Sequence, residues 1–298
     1  MPEALLYGLV ILSAIAHAIW NALMKSAGDR VLTMVAIRTA GLILGLIALP
    51  VVEWPAPESW KWLALTAAVM FAYYALLIRS YDVGDMSVVY PLARGVAPVL
   101  TTIAAFLAIG ETLGAGQIVA VAMISLGIMA LSFGAGASRG AVGFALATGA
   151  SVATYSSFAG LGVRSAGTVL GFQACLEIVT GFGMLGYGVT ARHTAILGYA
   201  RRHGTIGLLA GAVSVVGFLA YLMAARYLPL GPVTALRETS VLFGAVLGTI
   251  VLKEGFGLRR VAAALLVTLG TALLAVMRRG NLRSCHCLSR SKAASACR

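Results

Sequence analysis

Ten apolar stretches, each long enough to cross a bilayer as a helix, constrain this chain more than any other feature. They fall at about residues 4–24, 31–52, 60–79, 86–109, 117–135, 141–163, 168–190, 204–225, 231–252 and 257–277. A helical span needs roughly 20 mainly apolar residues. Ten of them with short connections consume nearly all 298 residues and leave no room for a soluble domain of ~100 residues. Hydrophobic residues make up 60% of the chain and charged residues 11%, against about 25% charged in soluble domains. That balance excludes an ordinary soluble enzyme, a disordered chain and a coiled coil. The runs are continuous rather than alternating, which excludes a β-barrel. Lipid cannot satisfy a free backbone N–H or C=O, so the spans are predicted to be helices. The expected fold is all-α, a polytopic membrane protein with ten transmembrane helices.

Punctuation between the runs supports this division. Predicted connections are Ser26–Arg30, Glu53–Pro57, Tyr81–Asp85, Gly110–Gly116, Gly134–Gly140, Arg164–Gly167, Arg192–His203, Arg226–Leu230 and Lys253–Gly257. Trp54, Trp60 and Trp62 sit at span ends, where amphipathic rings prefer the interface. No Lys or Arg precedes the first run, and that run is too long for a cleaved signal.

The net charge of +12 does not point to nucleic acid. Arg278, Arg279, Arg283, Arg290, Lys292 and Arg298 all follow Met277, with no acid among them. A basic segment after a last span reads as an anchor on anionic lipid, here within a disordered tail, 278–298. Cys285-His286-Cys287 in that tail falls short of the four ligands a structural zinc site takes, so no metal site is expected. P-loop and H-E-x-x-H motifs are absent from the sequence. No enzyme activity and no cofactor are expected.

The chain repeats itself. A shift of 143 lays Arg94 on Arg237, Glu111 on Glu254, Gly114 on Gly257, Ala120 on Ala263 and Leu126-Gly127 on Leu269-Gly270. A shift of 139 lays Lys25-Ser26-Ala27-Gly28 on Arg164-Ser165-Ala166-Gly167, and Arg38 on Glu177. Two five-helix repeats are therefore predicted, 1–137 and 138–277. An odd number of spans inverts the second relative to the first, an arrangement many secondary transporters share.

A charge near the bilayer centre costs at least ~2.5–3.5 kcal/mol on insertion scales, so buried ionisable groups face a cavity or a partner. His17, Arg38, Arg94, Glu177, Arg237 and Glu238 are the candidates. His17 and Asn21 lie one helical turn apart, with Trp20 beside them and Lys25 a turn further, and this stripe is expected to line an aqueous path. Arg38 and Glu177 hold matching places in the repeat and can pair across its axis, as a structural salt bridge or a substrate clamp. Arg94 lies between Pro91 and Pro98, which predicts a bent or broken span of the kind that binds cargo. Arg237 and Glu238 are adjacent, so both cannot point at the same centre; one is expected to serve cargo and the other packing. Two arginines converging from the two halves favour a carboxylate or phosphate. Among the aromatics, Tyr74 and above all Tyr155, beside Ser156 and Ser157, suit a small amphipathic ligand.

The stretches from Val88 to Glu111 and from Pro232 to Glu254, together with Ala16-His17-Ala18-Ile19-Trp20-Asn21, resemble the drug/metabolite transporter superfamily in its EamA-type branch. The resemblance spans about residues 4–277. It implies a multi-pass protein of the plasma (inner) membrane with both termini cytoplasmic. It also implies a small-molecule substrate such as an amino acid or a related zwitterion or anion, exported or imported; secondary transport by alternating access, in the export direction, is the expected function. The charge bias of the connections does not fix orientation. A proton is the candidate coupling ion, and the protein is expected as a monomer or homodimer. Alternatives are efflux of hydrophobic cations or drugs, and a non-transporting receptor or scaffold. Pro98 has Val241 as its repeat counterpart, which departs from symmetry.

Overall fold

The computed structural model of the chain describes residues 2–25, 29–83, 86–132, 138–243 and 261–277. Those residues form helices and no strands: α1 (Glu3–Lys25), α2 (Arg30–Ala48), a 3₁₀ turn (Pro57–Ser59), α3 (Trp60–Val83), α4 (Met86–Ile109), α5 (Ala115–Ala130), α6 (Arg139–Ser165), α7 (Val169–Ala225), α8 (Leu230–Glu238) and α9 (Val261–Met277). Among the described residues, five segments are long and apolar enough to cross a membrane: Glu3–Met24, Arg30–Ala48, Pro57–Ser80, Val88–Ile109 and Val169–Ala225. The Ser26-Ala27-Gly28 repeat element, Glu254 and the whole tail with its Cys285-His286-Cys287 lie outside the described residues.

Helix ends follow from local chemistry. Asp29 caps α2 by accepting from Val31 and Leu32 N–H at 2.9 and 3.1 Å. Ser138 and Thr168 cap α6 and α7 in the same way. Gly110 (φ +64°) ends α4 and Gly167 (φ +73°) follows the end of α6, because this left-handed turn strains any residue with a Cβ. Pro229, which starts α8, offers no side-chain acceptor. Its cap comes from elsewhere: the Leu230 N–H donates to both carboxylate oxygens of Glu111.

One predicted connection is not a loop. Residues 193–203 continue the helix, so α7 runs for 57 residues and leaves helical geometry only at Arg192 (φ −141°, ψ 28°). Ala, Leu and Arg there are good helix formers; the basic composition ended the apolar run without ending the helix. Straight, α7 would reach ~85 Å. It turns back instead, and both arms pack along α2. Gly45 meets Ala174 and Ile178, Arg38 meets Glu177, and Val35 meets Gly188; on the return, Ala36 meets Gly207, Ala40 meets Gly211 and Gly41 meets Val215. The first arm is thus antiparallel to α2 and the second parallel to it.

Two further contacts run antiparallel. Gly127 of α5 packs on the Ala263 carbonyl and Val267 of α9, while Gly270 of α9 packs on the Ala120 carbonyl and Ile124 of α5. Arg94 and Thr102 of α4 meet Glu238 and Gly231 of α8 in reverse order. Contrary to expectation, α4 is unbroken through Pro91 and Pro98. The interruption falls instead at Thr239, directly after Arg237-Glu238.

Large apolar side chains face outward, while the ionic groups within the spans are buried in the interior. Ile47 and Leu107 are 66% and 76% exposed, whereas Arg94 and Glu238 are 1% and 0%. A water-soluble fold does the reverse with its charges; lipid-facing helices do this. The glycines let helices approach closely enough for the inner groups to meet. A Cβ at Gly149 would stand 2.6 Å from the Ala93 carbonyl oxygen, in backbone that cannot yield. Gly149→Leu is therefore expected to separate α4 from α6 and lower the melting temperature in detergent, at a cost of about 1–3 kcal/mol. Gly8→Leu, at a position with open space around it, should leave the temperature unchanged.

Candidate functional site

Side chains of α1, α2, α3, α6, α7 and α8 converge on a partly open hollow of about 40 Å³. By the rule that one water needs ~10–15 Å³ measured this way, it has room for about three. His17, Trp20, Arg38, Tyr74, Tyr155 and Arg237 line it, with Ser13, Met34, Ile37, Met70, Tyr73, Ser214, Gly217 and Phe218. Six of the ten residues picked from sequence thus share one void. Asn21, Arg94, Glu177 and Glu238 stand behind its wall. The Asn21 amide donates to the His17 carbonyl at 2.7 Å, turned back on its own helix.

The charged residues form two clusters. In the first, Arg38 donates to Glu177 at 3.0 Å and to Ser214 at 2.9 Å, and Gln173 donates to the other Glu177 oxygen at 2.8 Å. Gly41 makes space for this carboxylate, since a Cβ there would collide with Glu177 Oε2. In the second, Arg94 reaches both Glu238 oxygens at 3.3 and 3.2 Å and the Tyr73 hydroxyl at 3.1 Å. Tyr90 adds its ring at 5.3 Å from the guanidinium.

Arg237 is placed differently. Its nearest carboxylate oxygen, Glu238 Oε1, is 3.9 Å away and already accepts from Arg94. Its Nε and Nη1 have no hydrogen-bond partner. Its guanidinium lies over the rings of Tyr221 and Phe218 at 4.9 and 5.6 Å. Nη2 approaches His17 Nδ1 at 3.4 Å. The Trp20 indole N–H, a donor only, also points at Nδ1, at 3.1 Å. Nδ1 therefore acts as acceptor, and the ring carries its proton on Nε2.

Arg94 and Arg237 do approach from α4 and α8, but Glu238 stands between them, so they do not form an open arginine pair. Glu238 serves packing and Arg237 faces the void. Gln173, Ser214 and Phe218 were not singled out from sequence. Their signal was present: Gln173 and Glu177 are four residues apart, as are Ser214 and Phe218, which places each pair on one helix face.

Breaking a buried ion pair leaves the partner charge stranded, at a cost of about 3–5 kcal/mol. Glu177→Gln and Arg38→Met are each expected to lower thermal stability in detergent substantially. The double variant Arg38→Met with Glu177→Met should melt above either single one, measured by the same unfolding scan.

A solved structure described only as "Crystal structure of protein" superposes with a TM-score of 0.73 over 93% of this chain and 97% of its own, at 15% sequence identity, a likeness of fold alone. No curated protein matches the chain. The family model described as the EamA-like transporter family matches residues 5–133, from α1 through α5. With its apolar helices, the chain is a multi-pass membrane protein whose residues 5–133 are similar to the EamA-like transporter family.

Proposed function

We propose that the protein is a secondary transporter of the plasma membrane that exports small charged metabolites by alternating access, with the central hollow as its binding site. The family is one of membrane transporters for small molecules. The observation that carries the reading is the convergence of Arg237, Arg38, His17 and five aromatic rings on one void at the middle of the bundle. Lipid-embedded charge at that depth is costly unless it serves a pathway or a partner.

The reading includes ten spans in two inverted halves. The reciprocal contacts support it. Gly127–Ala263 and Gly270–Ala120 exchange into each other under the 143-residue shift, and Arg38–Glu177 exchanges into itself under the shift of 139. Self-exchange is what a two-fold axis produces, and antiparallel partners place that axis across the helices.

The two ends of the bundle are tied differently. At the end holding residues 110–114, 166–168 and 226–229, Arg164 donates to the Ala225 and Leu228 carbonyls and lies 3.6 Å from Glu111, which caps α8. At the other end, Asp29–Arg192 and Arg30–Asp82 are half-exposed pairs at 3.7 Å. Exposed pairs at such distances contribute little, so the second end is where the hollow opens first.

The decisive measurement is flux in proteoliposomes across a panel of amino acids, organic anions and organic cations. Protein-dependent movement of at least one class is expected; a folded protein that moves none of them overturns the proposal. A second measurement tests the opening end. Asp29→Cys with Arg192→Cys, bridged by a short bismaleimide, is expected to cut flux at least ten-fold, whereas each single variant treated alike should retain it.

A further inference from the structure

The charges enclosed by the bundle do not balance. Among the described residues, three buried guanidinium groups (Arg38, Arg94, Arg237) face two buried carboxylates (Glu177, Glu238). Both carboxylates already hold an arginine. Glu177 accepts from Arg38 on one oxygen and Gln173 on the other, and Glu238 accepts from Arg94 on both. One positive charge is left over, and it sits on Arg237, which lines the hollow together with Arg38 and has two nitrogens, Nε and Nη1, without a hydrogen-bond partner. Its one carboxylate contact among the described residues, Glu238 Oε1 at 3.9 Å, is shared with Arg94; a buried charge so weakly compensated is costly, and a planar guanidinium matches a carboxylate better than any other side chain does.

We propose that the hollow takes a small organic carboxylate of net charge −1 that carries no amine, with its carboxylate on Arg237. The proposal deepens the transport reading and rests on it for the site's location. An amino acid would bring an ammonium group, and among the described residues both buried carboxylates, Glu177 and Glu238, are already paired with an arginine. A cation would meet the same lack and the repulsion of Arg237 as well. Of the rings lining the hollow, Phe218 is already covered by Arg237. His17 cannot substitute as an acceptor on its Nδ1, which already receives Trp20 and Arg237. The aromatic and aliphatic lining, Tyr155 and Ile37 among it, suits the carbon skeleton of such an acid.

Two matched trios test this: propionate, alanine and propylammonium, and 3-phenylpropionate, phenylalanine and phenethylammonium. Within each, size is held nearly constant while charge runs from −1 through zwitterion to +1. Binding to the full chain in detergent is read by calorimetry and by the shift in melting temperature. The expected result is that the anion of at least one trio binds at least ten-fold more tightly than its zwitterion and its cation. Arg237→Gln should abolish that preference without lowering the melting temperature of the ligand-free protein, because it removes an unmatched charge. Should Arg237→Gln fail to fold, Arg237→Lys replaces it, with anion preference retained but weakened. Absence of that preference in both trios overturns the proposal, as does unchanged anion binding by Arg237→Gln, or no binding of any probe by folded protein. Anion binding without flux in proteoliposomes would sink the transport reading and leave this one standing; flux of amino acids without anion preference would do the reverse.

Discussion

Putting charge inside lipid forces each ionic group to find a partner, and that constraint organises this bundle. Arg38 on α2 cannot stay in a low-dielectric interior alone, and Glu177 on the first arm of α7 cannot either. Their 3.0 Å contact therefore fixes how α2 and α7 dock. Arg94 and Glu238 do the same for α4 and α8. Small residues make the docking sterically possible. Gly41 leaves room for the Glu177 carboxylate, and Gly181 lets α7 close on the Arg38 carbonyl. Without a hydrophobic force between helices in lipid, close packing and such polar contacts are what hold them together. The two sets of contacts act in concert, since widening the helix spacing would also pull the ions apart.

The same constraint limits the hollow. Groups that must remain paired draw the helices inward, and the void that remains holds only about three waters. Ligand pockets for drug-sized molecules run to ~300–1,000 Å³. A cargo larger than a few atoms needs its walls to part. The tied end, with Arg164 on two carbonyls and Glu111 on the α8 N-terminus, resists that. The half-exposed pairs at Asp29–Arg192 and Arg30–Asp82 offer less resistance. Arg192 is also the single corner on which the α7 arms turn, so motion there changes the angle between arms without unwinding either.

Much of this was legible in the sequence because lipid penalises errors strongly. An Arg, Glu or His within an apolar run has to point inward, and all six such residues are buried. The Arg38–Glu177 pairing followed from one alignment shift. Other features were not legible because nothing local decides them. Pro91 and Pro98 leave α4 unbroken within packing from α5 and α6, although proline alone argues for a break. Residues 193–203 read as a connection by charge but stay helical by propensity. Which of Arg237 and Glu238 would face the void depends on Arg94 lying across from them, a tertiary fact. The bundle's far partner residues, such as Ser214 beside Arg38, carry no charge, so only their helical spacing marked them in an apolar run.

On the inverted-repeat reading, the two ion pairs differ in kind. Arg38 and Glu177 are each other's counterparts, so their contact lies on the axis that relates the halves. Points on such an axis move least when the halves rock, and the pair can persist whichever end is open. It is then a pivot, and its strength does not oppose the motion. Arg237 is related to Arg94, not to its own neighbour, so it lies off the axis and its surroundings change as the halves rock. Glu238 lies 3.9 Å from Arg237 and 3.2 Å from Arg94, which makes it the group able to shift between two arginines. A bound carboxylate on Arg237 would compete with Glu238 for that charge and leave Glu238 wholly to Arg94. Occupancy of the hollow would in this way tighten the contact between α4 and α8, which supplies the differential free energy that any ligand-driven change of state requires.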